Sequence, residues 1–345
     1  MPDYEYLPLG SNEIRRLILF LGSVEDPLEV RVVHDIFEPP HTVPQYEALW
    51  YVWGSQETPE ILTVFGDTVF DGSLDRSSLR EAGSIPLGQN LATALRHLRR
   101  KSEGRVIWCD AVCINQRDAS ERSVQVQRMK DVYRVSERVV AWLSQGSEET
   151  QRAVKVLCQE MWTTAFDYNA NKWLNDKESL IKRSEYFESL DQQDWRAIHY
   201  FLSLPWFKRL WVRQEIVLAN DSAIFMIGAA VVDLATFINA IDSIYWYAWK
   251  KQLLIEDDAQ IDLADKITNV WSLLHSRQNL ASPIDYMLGW TQTCECSDPR
   301  DRIYGILGIC EKLDICPDYT KSAQDVYLDV VRIHVDRYKT ANFLG

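Results

Sequence analysis

Short apolar runs, punctuated by Gly and Pro, occupy the N-terminal part of the chain, and helical spacing of apolar positions takes over beyond about residue 145. Residues 14–21 and 28–37 are two strand-like runs separated by Gly22, Ser23, Asp26 and Pro27, which predicts an N-terminal hairpin. The aromatic and apolar run YEALWYVWGS, residues 46–55, leads straight into Gly54 and predicts a strand ending in a glycine turn. Residues 61–65 and 68–70 flank Gly66-Asp67 and predict a second, short hairpin. Leu91, Ala94, Leu95 and Leu98 share one face of a helix over residues 90–100, whose basic end suits the helix dipole.

The stretch 105–144 carries the organising pattern. Residues 106–109 form an apolar run without Gly or Pro, ended by Asp110, as a buried strand does. Asp118 and Glu121 stand three apart ahead of Val126, Met129, Val132 and Tyr133 at helical spacing, which predicts a capping box in which Glu121 reaches back. Residues 138–143 read as the next strand. Strand, crossover helix and strand imply a parallel sheet, and ligands bind at the carboxyl ends of such strands. Residues 109–118 are therefore a candidate ligand loop.

Further on, residues 145–194 are polar and helix-compatible. SLPWFKRLWVRQEIVLA, residues 203–219, predicts one helix with Ser203 as its cap and Pro205 in its first turn. Residues 223–232 read as a strand, 234–244 and 261–277 as helices, Asp298-Pro299 as a helix start, and 322–338 as a last helix. The expected fold is α/β, a parallel sheet flanked by helices, in one domain. It comprises an N-terminal hairpin (1–45), a core (46–232) with a helical insertion at about 145–200, and a mainly helical C-terminal part (233–345).

Composition narrows the partners. The 345 residues include 46% apolar residues and thirteen Trp, which specifies a globular chain. A net charge of -13 argues against general binding to nucleic acid or to an anionic membrane. No apolar run is long enough to span a bilayer, the N-terminus lacks signal-peptide features, and seven cysteines form no even framework, so a reducing, cytoplasmic setting is expected. The chain's end, residues 341–345, follows closely on the last predicted helix, as it would in a piece cut from a longer protein. Cys109 with Cys113 and Cys294 with Cys296 lack zinc-site spacing, and no metal is expected. GxSxG, GxxxxGK[ST] and GxGxxG are absent, which removes the usual support for hydrolase-triad, P-loop and Rossmann readings.

Glu215 is the most informative residue. Its helical neighbours are Trp211, Val212, Leu218 and Ala219, so no Lys or Arg on its own helix pairs with it. It is either a structural carboxylate tied to a distant Arg or a capping N–H, or a partly desolvated acid lining a pocket. Asp110, Asn115 and Gln116 either bind a ribose or amide at a strand end or hold their own loop together. Trp53, Gly54 and Ser55 either approach a ligand through backbone N–H groups or simply make a turn.

The segments YEALWYVWGS, NLATALRHLR, RVIWCDAVCINQRDASERSVQVQRMKDVY, PWFKRLWVRQEIVLA and DPRDRIYGILGI, in this order, resemble the HET (heterokaryon incompatibility) domain of filamentous fungi. The resemblance runs from about residue 14 to the C-terminus, with departures at Trp50, where the family usually has Ser, and at Ser55, where an acid is common. It implies a role in non-self recognition leading to growth arrest or cell death. HET domains are similar to TIR domains, whose core is a flavodoxin-like parallel sheet. Some of these cleave NAD with a helix glutamate in a W-x-x-x-E-I pattern, and Trp211 to Ile216 fits it. On that resemblance Glu215 is the catalytic carboxylate, NAD is the substrate and no further cofactor is needed. Trp211 then stacks on the ring or walls the site beside Trp53, Asp110 and the loop with Asn115 and Gln116 hold the ribose, and the backbone N–H groups of Gly54 and Ser55, or Arg side chains, meet the phosphates. The implied partners are NAD or a related nucleotide, further copies of the chain on activation, and an upstream sensor. The alternatives are a non-enzymatic signalling or adaptor module and a nucleotide binder without turnover.

Overall fold

The computed structural model describes residues 2–66, 79–158, 177–250, 258–276 and 281–339, with the short pairs 166–167 and 172–173. The strands are β1 (Glu13–Leu19), β2 (Leu28–Ile36), β3 (Glu47–Trp50), β4 (Glu60–Phe65), β5 (Glu81–Leu87), β6 (Arg105–Trp108), β7 (Arg138–Ser144), β8 (Phe166–Asp167), β9 (Lys172–Trp173), β10 (Ile224–Ile227) and β11 (Ala230–Asp233). The helices are α1 (Gln89–Leu98), α2 (Asp110–Cys113), α3 (Ala119–Val135), α4 (Glu148–Leu157), α5 (Lys177–Ser189), α6 (Gln192–Leu202), α7 (Leu210–Leu218), α8 (Leu234–Lys250), α9 (Asp258–Leu274), α10 (Ile284–Trp290), α11 (Asp301–Tyr304) and α12 (Ala323–Tyr338).

Nine strands form one mixed sheet in the order β11-β10-β7-β3-β6-β1-β2-β4-β5. Its centre, β10-β7-β3-β6, is parallel throughout. Numbered along the chain, β6-β3-β7-β10 is the 2-1-3-4 order of flavodoxin-like sheets, and the order reverses between β3 and β7. The α/β expectation holds, and the loop leaving β3 starts beside that switch point. All four residues of β3 are buried, as befits a strand covered on both faces. The N-terminal hairpin forms in register, Glu13 opposite Ile36 through Leu19 opposite Val30. Its first strand also pairs with β6, so the hairpin is continuous with the core sheet.

Large aromatics fill the space between the parallel strands and α3. Tyr133 meets Trp50 and Trp108 edge-on at 5.5 and 5.6 Å, and Trp206 lies 6.4 Å from Trp50. All four side chains are essentially fully buried. This packing orients the Tyr133 hydroxyl, which becomes important at the site.

Three expectations change, and a fourth is left untested. The residues 223–232 are a hairpin: Ile227 pairs with Ala230 around Gly228-Ala229, and Gly228 has φ +57°, a turn that a continuous apolar run conceals. The helix expected over residues 203–219 is broken. Ser203 ends α6, its Oγ donating to the His199 carbonyl, and Pro205–Lys208 form a 3-10 turn before α7. The break sits at Arg209, extended at φ -66°, ψ 133°, because the Glu295 N–H donates to the Lys208 carbonyl and the Leu210 N–H to the Glu295 carbonyl. Asp118 caps α3, accepting from the Ser120 and Glu121 N–H groups at 2.9 and 3.1 Å, but Glu121 turns away to pair with Arg15. Finally, β4 pairs with β5 and β2, while the predicted 68–70 strand lies outside the described residues.

A Cβ on Gly228 would stand 2.5 Å from the Gln145 backbone oxygen, in a left-handed conformation as well. Gly228→Ala is expected to cost about 2 kcal/mol or more of stability. In urea unfolding the midpoint falls with the slope unchanged; an unmoved midpoint means the turn yields freely.

Candidate functional site

Helix α7 places Glu215. Every residue from Leu210 to Val217 is buried, so polarity on this helix is unusual and needs a reason. Glu215 is 4% exposed. Its Oε1 accepts a long hydrogen bond, 3.4 Å, from the Tyr133 hydroxyl, and its buried Oε2 has no partner among the described residues. Burial pushes its pKa up to about 7; Arg209 opposes the shift, Asp110 adds to it, and the Tyr133 bond opposes it.

Glu215 lines a cleft of about 740 Å³ shared with Trp53, Gly54, Asp110, Gln116 and Trp211. Of the residues expected at the site, these six come together. Asn115 instead lines a smaller neighbouring cavity, about 200 Å³, which shares Trp53 and Gln116 with the cleft. Ser55 lines neither cavity, and its Oγ accepts from the Glu57 N–H at 3.2 Å.

Asp110, just past β6, ties two loops together. Its Oδ1 accepts from the Tyr51 hydroxyl and the Ala111 N–H, each at 2.9 Å, and its Oδ2 from the Trp53 indole N–H at 2.9 Å. The Gln116 amide donates to the Asp110 carbonyl at 2.8 Å. Asn115 Oδ1 accepts from the Arg117 N–H at 3.2 Å, a turn bond within the loop. Gly54 adopts φ +68°, and the N–H groups of Gly54 and Ser55 have no protein acceptor among the described residues.

Beneath this loop lies a buried charge. Arg15 is fully buried on β1 and bonds both Glu121 oxygens, the Cys113 carbonyl at 3.2 Å and the Leu7 carbonyl at 2.7 Å. Glu121 also accepts from the Asn115 N–H at 2.7 Å. The pair thus holds the base of residues 113–115.

Sequence reasoning missed the opposite wall. Asp298 bonds Arg122 at 3.0 Å and Arg300 at 2.7 Å. Both guanidinium groups lie over the Tyr319 ring, at 3.5 and 5.1 Å. The Tyr319 hydroxyl donates to Asp301 at 2.6 Å, and the Trp211 indole N–H donates to the same carboxylate at 3.1 Å. Burial raises the Asp301 pKa, and these two bonds oppose it. Arg209 enters from the break before α7, donates to the Tyr51 carbonyl and has no carboxylate at bonding distance among the described residues. The DPRDR run, predicted as a helix start, carries the signal for this wall, although the helix that begins within it, α11, is only four residues long.

The cleft therefore mixes five acids, Asp110, Glu215, Glu295, Asp298 and Asp301, with three arginines, Arg122, Arg209 and Arg300. It suits a ligand carrying both a cationic and an anionic group. Among the described residues no cluster of three or more His, Cys, Asp or Glu side chains is placed to hold a metal, and no helix is long and apolar enough to cross a membrane.

The family described as "Heterokaryon incompatibility protein (HET)" matches residues 46–215, a segment that contains Trp53, Gly54, Asp110, Arg122, Arg209, Trp211 and Glu215. Heterokaryon incompatibility protein 6, OR allele, of Neurospora crassa is 29% identical over 356 residues, covering 90% of this chain and 50% of that protein. The chain spans about half the length of that curated relative. No solved structure matches. A flavodoxin-type sheet, a matched segment from β3 to Glu215 and a relative aligned along nine-tenths of this chain together make residues 46–215 a region similar to the heterokaryon incompatibility (HET) family.

Proposed function

We propose that the chain is the effector domain of a fungal non-self recognition response that ends in growth arrest or cell death. We further propose that it acts by hydrolysing NAD at the nicotinamide–ribose bond. The observation that carries the hydrolysis is the unpartnered, buried Oε2 of Glu215 on the wall of the cleft.

The chemistry asks little of the protein. Nicotinamide is already cationic in NAD, so its departure needs no acid; the C1′–N bond breaks, the electron pair goes to the ring nitrogen, and positive charge develops on the ribose. The Glu215 carboxylate stabilises that charge in a water-poor setting, where a fixed charge is worth more than in water. Water attacks C1′ and its proton passes to Glu215 and then to solvent, giving ADP-ribose and nicotinamide. A cationic ring beside Glu215 also favours its ionised form, counteracting the burial that raises its pKa. Arg209, without a carboxylate partner, and the free N–H group of Gly54 are the groups that receive the diphosphate. Asp110 acts by fixing Trp53 and Tyr51, since its oxygens are already engaged.

The test is nicotinamide release from NAD by concentrated protein and by protein clustered on a fused oligomeriser, followed by chromatography. Clustered protein is expected to release nicotinamide and ADP-ribose. No release from either form sinks the hydrolase assignment. It would favour a non-enzymatic module acting through protein contacts, for which the exposed Trp246 and Trp249 of α8 offer a surface.

A further inference from the structure

The smaller cavity is not part of the chemistry just described. It holds about 200 Å³ and is walled by Tyr4, Tyr6, Tyr51, Trp53, Leu87 and Ala111, with the side-chain amides of Gln56, Asn115 and Gln116 at its edge. A cavity of roughly 150 Å³ already accepts benzene. Two of its aromatic walls, Tyr4 and Tyr6, lie outside the matched segment 46–215.

Its walls are held in place. Tyr4 and Tyr6 meet edge to face at 5.0 Å, and the Tyr6 hydroxyl donates to the Val112 carbonyl at 3.1 Å. The N-terminal segment is fastened to β5, with the Tyr4 N–H donating to the Ser84 carbonyl at 2.9 Å and the Ser84 N–H to the Pro2 carbonyl at 3.0 Å. Trp53 and Tyr51 are pinned by Asp110. Two polar groups at the edge remain unused: Asn115 Nδ2 and Gln116 Oε1 have no protein partner among the described residues, although Asn115 Oδ1 and Gln116 Nε2 are bonded. A donor and an acceptor on neighbouring residues, beside aromatic walls, match the edge and faces of a heterocyclic base.

Trp53 and Gln116 line both cavities, so one ligand lying across them touches both. Arg209, in the cleft, donates to the carbonyl of Tyr51, which walls the smaller cavity. We propose that the smaller cavity is a purine site that seats the adenine of the dinucleotide, with Asn115 and Gln116 reading the base edge and Tyr4, Tyr6 and Trp53 packing on it. This rests on the assignment of NAD as the ligand of the Glu215 cleft. The partition then makes a dinucleotide the preferred substrate over a nicotinamide mononucleotide.

Adenosine monophosphate, titrated calorimetrically into the full chain, reports on this site without turnover. Ala111→Leu fills the cavity without removing a side-chain hydrogen bond, and Tyr4→Ala opens a wall. Each is expected to weaken binding tenfold or more, with thermal unfolding used to confirm the fold of each variant. If wild type does not bind the nucleotide, or if both folded variants bind it as wild type does, the purine site is overturned. Should the nucleotide bind and the variants lose it while NAD yields no nicotinamide, the hydrolase assignment falls and the purine site stands.

Discussion

Glu215→Gln is expected to lower nicotinamide release by about 10³-fold and, at the same time, to make the folded protein more stable at pH 8. Removing a preorganised charge that opposes a developing one costs on the order of 10²–10³ in rate; of the other cleft acids, Glu295 is exposed to solvent and the remaining three are already engaged. Asp110 is saturated, Asp298 is shared between two arginines, and Asp301 is bound by Trp211 and Tyr319. The pH dependence follows from the same burial. With a pKa of about 7 in the folded, ligand-free chain, kcat/KM for the proposed hydrolysis is expected to rise with pH through neutrality as Glu215 ionises, and the residual activity of the Gln variant to lack that rise. Stability runs the other way. The folded pKa lies above the unfolded value of 4.5, so the folded state holds the proton more tightly. There is no penalty below pH 4.5; it accrues as pH rises toward 7 and is complete above it, reaching about 3 kcal/mol. Gln cannot ionise and escapes it. Chemical denaturation at pH 5 and pH 8 checks the point: an advantage of the variant that does not grow with pH would show that Glu215 is not desolvated as described.

Glu121→Ala is expected to destabilise the chain by about 3–5 kcal/mol, because it leaves the fully buried Arg15 guanidinium without its counter-charge. The Asn115 N–H loses its acceptor in the same change. The double variant Arg15→Met with Glu121→Leu is expected to regain much of the loss, since well-packed apolar groups of similar volume replace buried pairs at little cost. Urea unfolding of the two single variants and the double one measures the coupling. Equal losses in Glu121→Ala and in the double variant would mean that the stranded charge is not the cause.

The sheet centre was legible because β3, β6 and β7 each carry an unbroken apolar run behind a leading charged residue, and such a run needs no tertiary information to be recognised. Glu215 stood out for a similar reason, as an acid on an otherwise apolar helix. What escaped notice depends on contacts distant in sequence. Nothing near Arg209 announces a break in the helix, since the bridge that causes it comes from Glu295. Glu121 fits a capping box locally, and only β1, more than a hundred residues earlier, reveals that its carboxylate is needed by Arg15. The acids and arginines of DPRDR have good local uses at a helix start, and their spacing does not show which of them turn toward Trp211.

The backbone bridge between Arg209 and Glu295 also bears on how such a domain is to be cut and exchanged. The matched segment ends at Glu215, yet Asp298, Arg300, Asp301 and Tyr319 form the facing wall. A transplant of residues 46–215 into a related protein would carry the acid into a foreign half-site. Exchanging 205–215 together with 290–320 as one cassette keeps the two lips of the cleft matched, and that pair of segments is the natural unit of exchange.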